Sequence, residues 1–321
     1  MRLLKSIHVA IVLLALTSAP AFAGMIIVPT FDTTITTDPN AAIIQGTINS
    51  VIQLYENTFS DPITVHIEFH EMTSGLGASN TYFGTTSYAN WHAALTGDAA
   101  SADDATALAS IPGGPNNPVN GSNSVDVTTA SLRALGLNVN PPSGQPDGFI
   151  GLKTSIMNLD RTSINPAKYD LYAVAAHEID EVLGFGSALN NLSNGDPVPT
   201  GAIWAMDMFR WASAGTRSFN TNANSTAYFS IDSGVTNLVG FNQTAGGDFS
   251  DYFSTGPHTP RVQDAFATPG ATPNPSVELR GLDVIGYNLA APQAVPEPGT
   301  MILFGVGLLL VAARACHSRL S

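Results

Sequence analysis

Apolar segments at the two extremes of the chain set the limits of what can fold in water. Arg2 and Lys5 precede an almost wholly apolar run at residues 7–16, and Ala21, Phe22 and Ala23 follow in a small-x-small pattern. Charge, then grease, then a small-residue cut site is the layout of a secretory signal peptide, so residues 1–23 are expected to be removed and the mature chain to begin near Gly24. The run is too short to span a bilayer comfortably. At the other end Val295-Pro296-Glu297-Pro298-Gly299-Thr300 leads into an apolar run at residues 301–313, and Arg314, His317 and Arg319 close the chain. So short a run holds a bilayer only marginally, and the terminal cations stay on the cytoplasmic side. Residues 295–321 are therefore expected to be a membrane-sorting tail with a short transmembrane helix, and residues 24–290 one globular domain.

That domain has no disulfide to lean on, because the single cysteine, Cys316, lies in the tail. Its stability must come from an ordinary packed core. Charge is sparse and one-sided: twelve lysines and arginines face twenty-five acidic residues, and no lysine or arginine lies between Lys5 and Arg133. Nucleic acid is excluded as a partner, since no cationic track exists to neutralise phosphates.

Residues 41–57 carry Ile44, Ile48, Val51, Ile52 and Tyr55 at helical spacing, ended by Asp61-Pro62. Residues 63–69 alternate, with Val65, Ile67 and Phe69 on one face and His66, Glu68 and His70 on the other, a half-exposed strand. Residues 99–111 read as a weak helix, 125–127 as a short strand, 130–135 as a helical turn or two and 149–156 as a strand. Residues 170–183 form the clearest helix, stopped by Gly184. Beyond it come an aromatic-rich element at 204–211, short strands at 228–231 and 238–241, and a last helix at 276–286. No repeat and no composition shift marks a domain boundary, and the C-terminal half is expected to pack loosely.

Chemistry concentrates in the clear helix, which reads Ala175-Ala176-His177-Glu178-Ile179-Asp180-Glu181-Val182-Leu183-Gly184-Phe185-Gly186-Ser187. Four residues turn about 400° around a helix, so His177 and Glu181 share a face, and Glu178 sits about 100° further round. One imidazole and one carboxylate can share a metal while the adjacent carboxylate reaches a water beside it, which is the mechanics of the H-E-x-x-H metalloprotease helix. A carboxylate binds zinc or manganese at about 2.0–2.2 Å. Its negative charge weakens the Lewis acid and moves preference toward harder metals.

The segment resembles a zincin active-site helix, with Gly184 at the turn glycine of the metzincin pattern. The tail resembles the PEP-CTERM sorting signal of bacteria with exopolysaccharide-linked export. The whole is similar to secreted PEP-CTERM proteins of the metalloprotease-like type, through the helix, Met206-Asp207-Met208-Phe209-Arg210, Gly247-Asp248-Phe249-Ser250-Asp251 and the closing Leu282-Asp283-Val284-Ile285-Gly286-Tyr287. That resemblance implies an α+β, zincin-like (metzincin-like) domain with a mixed sheet and an active-site helix. It implies a metal-dependent peptidase with zinc or manganese as cofactor, His177 and Glu181 as ligands and Glu178 as general base. It also implies sorting and processing machinery at the membrane as a partner, and a final location at the cell surface or in the extracellular matrix. Two departures stand out. Glu181 replaces the second histidine, and Ser187 occupies the third-ligand position, where a hydroxyl is a poor zinc ligand.

Two ligands do not make a tight site. Asp207, just past the loop after the helix, is the first candidate for the third, with His258 and Asp251 behind it. The alternative to a peptidase is a catalytically inactive zincin-like surface protein associated with exopolysaccharide. The strand face of His66, Glu68 and His70 can chelate a metal, but a solvated face is the simpler expectation. Asp248 and Asp251 fall short of a calcium loop. No Gly-x-Ser-x-Gly elbow occurs.

Overall fold

The computed structural model describes residues 24–290, so the signal segment 1–23 and the tail 295–321 lie outside the described residues. The chain opens with strand β1 (Ile26–Phe31), a single-turn helix α1 (Thr33–Thr36) and the long helix α2 (Ala41–Thr58). Ile44, Ile48, Val51, Ile52 and Tyr55 are the buried positions of α2, as their spacing predicts. Strand β2 (Thr64–Glu71) follows, then β3 (Gly77–Thr81), β4 (Phe83–Ser87), α3 (Tyr88–Asp98), α4 (Ala102–Ser110), β5 (Ser124–Thr128), α5 (Thr129–Ala134) and β6 (Gly148–Leu152). Helix α6 (Leu171–Leu183) and a last helix α7 (Val277–Val284) complete the regular framework.

The main sheet has the order β1-β2-β6-β3. Its first three strands are parallel, with Ile26 opposite Thr64 and Ile67 opposite Gly148. The edge strand β3 runs antiparallel to β6, Gly77 opposite Leu152 and Thr81 opposite Gly148. Val65, Ile67 and Phe69 are buried beneath α2 and α6, whereas His66, Glu68 and His70 lie on the opposite, wetter face. A second sheet joins β4 antiparallel to β5 and Ile203–Trp204 parallel to β5. The mixed α+β expectation therefore holds, and no helix among the described residues is long and apolar enough to cross a membrane.

Helix α6 is the centre of the structure. Ten of its thirteen residues are buried, and a helix this short is marginal by itself in water, so packing rather than propensity maintains it. Gly184 ends it with φ +132°, and the carbonyl of Leu183, left without an intrahelical partner, accepts from Thr128 Oγ1 and Tyr287 Oη. Tyr287 belongs to the closing Leu282–Tyr287 motif. There Gly286 adopts φ +118°, and a Cβ would run into Leu135. The motif is thus a floor under the C-terminal end of α6.

Several boundaries differ from expectation. The strand expected at 149–156 ends at Leu152 and passes into a 3-10 turn, Thr154–Ile156. The weak helix at 99–111 is confined to α4, where Ser101 and Asp104 form a reciprocal capping box. The region after α6 has little regular structure yet does not pack loosely. Phe209, Phe229, Phe241 and Tyr252 are buried in it, and Arg210, 1% exposed, donates to Phe249 O and Gln243 Oε1 and stacks on Phe241.

Candidate metal centre

His177, Glu178 and Glu181 leave α6 toward the edge strand β3. The His177 ring is held from behind: Nδ1 lies 3.0 Å from the carbonyl of Val262. A carbonyl can only accept, so Nδ1 carries the proton and the Nε2 lone pair faces forward. In front of it stand Glu181 Oε1 at 3.6 Å and Asp251 Oδ1 at 3.8 Å. One ligand atom from each of His177, Glu181 and Asp251 falls within 4.8 Å of the others. An imidazole oriented through its far nitrogen is the usual support for a metal-binding histidine. Ser79 Oγ donates to the other Glu181 oxygen at 2.6 Å, which aims the carboxylate.

Asp251 Oδ1 is buried and has no hydrogen-bond partner. A carboxylate oxygen so placed needs a proton or a cation. The donor set of one nitrogen and two carboxylates therefore fits zinc or manganese chemically. Asp251 arrives from a loop that Arg210 ties down through Phe249 O, and its own carbonyl accepts from Asn242 N at 2.7 Å.

The electrostatics agree. Burial opposes a charged imidazole, yet the negative charges of Asp251, Glu178 and Glu181 outweigh it and lift His177 well above its ordinary value. Burial and the neighbouring Glu181 charge push the Glu178 carboxyl well up. Asp251 is raised by burial and by Glu181 and Asp248. Without a cation the cluster avoids carrying all its negative charges by holding protons on Glu178, Asp251 and His177, and a divalent ion would take the place of those protons.

Asp207 is not among the three clustered residues. It is fully buried, and its carboxylate accepts from Ser187 Oγ at 2.5 Å, Ala188 N at 2.9 Å and Trp204 N at 2.9 Å. It clamps the turn after α6 to the strand carrying Trp204, so its oxygens are committed elsewhere. Ser187 is spent on the same clamp. His258 pairs with Asp264 at 2.7 Å and stands outside the cluster as well. His66, Glu68 and His70 do not form a metal-holding group. Ser79 and Val262 were invisible to motif reasoning, because one contributes from an edge strand and the other only through its backbone.

Glu178 is 4% exposed and abuts β3, where a Cβ on Gly77 would collide with its Oε1. The three donors and Glu178 form the floor of a cleft of about 380 Å³, bounded by Leu76–Ser79 on one side and by residues 246–251 and 260–273 on the other.

The PEP-CTERM protein-sorting motif family matches residues 294–317. The chain thus carries a signal of exported proteins directed to the cell surface. Neither a curated protein nor a solved structure matches it.

Proposed function

We propose that residues 24–290 form a zincin-like, metal-dependent peptidase domain, exported through the signal segment, tethered transiently by the tail and destined for the cell surface or matrix. The observation that carries this reading is the convergence of His177 Nε2, Glu181 Oε1 and Asp251 Oδ1 on one point beside Glu178, with the imidazole tautomer set by Val262. A mixed sheet whose antiparallel edge strand borders the site helix supports it further.

A divalent ion, zinc or manganese, supplies Lewis acidity and an acidified water when bound there. Glu178, one residue from His177 on the same helix, accepts a proton at its carboxylate and returns it to the departing amine. Strand β3 orients the substrate. Lys153 N donates to Leu76 O and Tyr82 N to Asp147 O, so the even-numbered residues of β3 face β6. Gly77, Ser79 and Thr81 then present their backbone groups along the free edge, where an extended peptide can pair.

Two carboxylates neutralise a divalent ion and weaken it as a Lewis acid, which favours manganese and lends weight to a second reading, a surface protein that holds metal without turnover. Elemental analysis of the full chain purified without chelators separates these. About one zinc or manganese per chain, lost in His177→Ala, is the expected result, with metal-dependent peptide cleavage lost in Glu178→Gln. Metal at the level of the His177→Ala control would refute both readings. Metal without cleavage leaves the second.

A further inference from the structure

The cleft does not end at the metal centre. Ser79, Glu181, Asn191 and Asp248 also line a second cavity of about 440 Å³ that continues along the edge strand. Its wall is aromatic. Phe83 is 52% exposed and packs on Trp204 with ring centroids 5.4 Å apart. Trp204 in turn lies against Gly186, where a Cβ would meet the indole at 2.9 Å, and its backbone is clamped by Asp207. The shelf is therefore rigid. Asp248, half-buried, forms the acidic end and is held by Asn190 Nδ2 at 3.3 Å. No lysine, arginine or histidine lines this cavity among the described residues.

An exposed π face, a carboxylate and amide oxygens, with no competing cation, complement a guanidinium or ammonium group on an apolar stem. A neutral sugar would also stack on the shelf but would leave the half-buried Asp248 carboxylate without a cationic partner. We propose that the substrate is an extended peptide with an arginine or lysine seated between the Phe83–Trp204 shelf and Asp248. This rests on the peptidase reading of the same cleft. Phe83 lies four positions beyond Ser79, which touches Glu181, so at about 3.4 Å per residue the basic side chain falls two to four residues from the bond over the metal centre.

The test uses full-chain Glu178→Gln, which keeps the cleft and prevents turnover, loaded with zinc. Its affinity is measured for extended peptides in which one arginine, or its neutral isostere citrulline, is walked along the sequence. At two to four residues from the centre, arginine is expected to bind about tenfold tighter than citrulline, and less so at high salt. That preference is expected to vanish when Asp248→Asn or Phe83→Ala is added, with metal content unchanged. Peptide binding without an arginine preference would overturn the proposal and leave the peptidase reading standing. Binding of a neutral oligosaccharide in place of peptides, sensitive to Phe83→Ala, would also overturn it. If no peptide binds, the peptidase reading falls first and takes this one with it.

Discussion

Replacing Asp207 by alanine separates a structural clamp from a metal ligand. The carboxylate is fully buried and receives Ser187 Oγ, Ala188 N and Trp204 N. Hydrogen bonds to a charged acceptor contribute about 1.5–3 kcal/mol each, and the two backbone N–H groups have no substitute once it is gone. The Ser187 hydroxyl loses less, because its proton can rotate toward another acceptor while Oγ keeps accepting from Leu189 N at 3.0 Å. Relief of a buried carboxylate, whose ionisation burial already disfavours, offsets part of the loss. The net cost is about 3–5 kcal/mol, which for a chain of this size lowers Tm by about 6–10 °C. Asp207→Asn should cost less, since both backbone N–H groups share Oδ2 and a single amide oxygen can accept from them while the NH2 faces the Ser187 hydroxyl. Circular dichroism melts give Tm, and elemental analysis of the same samples gives bound metal. A variant with Tm within about 1 °C of wild type but without metal would show that Asp207 is a ligand after all and that the clamp is incidental.

Two further outcomes follow from other buried charges. Arg133 NH1 contacts Asp147 Oδ1 at 2.9 Å, and Asp147 is 1% exposed. Arg133→Met leaves that carboxylate with only Thr129 Oγ1 and His66 N, so a loss of about 3 kcal/mol is expected in urea unfolding, and a change under about 1 kcal/mol would contradict it. Stability should also fall as pH rises from 5 to 7.5. Burial, with the Asp98 charge, raises Asp61 to about 6, and burial, with Asp104 and Asp103, raises Asp283 to about 7. Both groups hold protons in the folded state that the unfolded chain has already released, so their contribution is present at low pH and lost through pH 6–7. Discounted for partial solvent screening, the two together contribute on the order of 1–2 kcal/mol. Urea midpoints that are flat over this range, or unchanged by Asp61→Asn with Asp283→Asn, would refute the assignment.

Elements with a strong hydrophobic period were legible before the fold was known. Helices α2, α6 and α7 and strand β2 carry their buried faces in their spacing, and Gly184 marks a helix end by its own conformation. Strands β1 and β3 were not legible. β1 reads Ile-Ile-Val-Pro-Thr-Phe without alternation, and β3 reads Gly-Ala-Ser-Asn-Thr with almost nothing apolar. β3 exists because β6 offers it a ladder and because small residues let the carboxylate of Glu178 approach its backbone. Helix α3 did leave a signal, Ser87 as cap with Tyr88, Trp91 and Leu95 buried at helical intervals.

The sequence alone carried the sorting motif at residues 294–317, the helical face shared by His177 and Glu181, and Glu178 beside them, because those follow from order and from turns of a single helix. Tertiary structure decided which carboxylate stands beside His177 and Glu181. Asp251 and Asp207 are both acidic residues in segments after α6, and nothing local distinguishes them. Asp251 reaches His177 across more than seventy residues because Arg210 anchors its loop. Asp207 is consumed by Ser187 and two backbone amides. Ligation depends on which oxygen is left without a partner inside the fold, and that is a property of the packed chain rather than of any stretch within it.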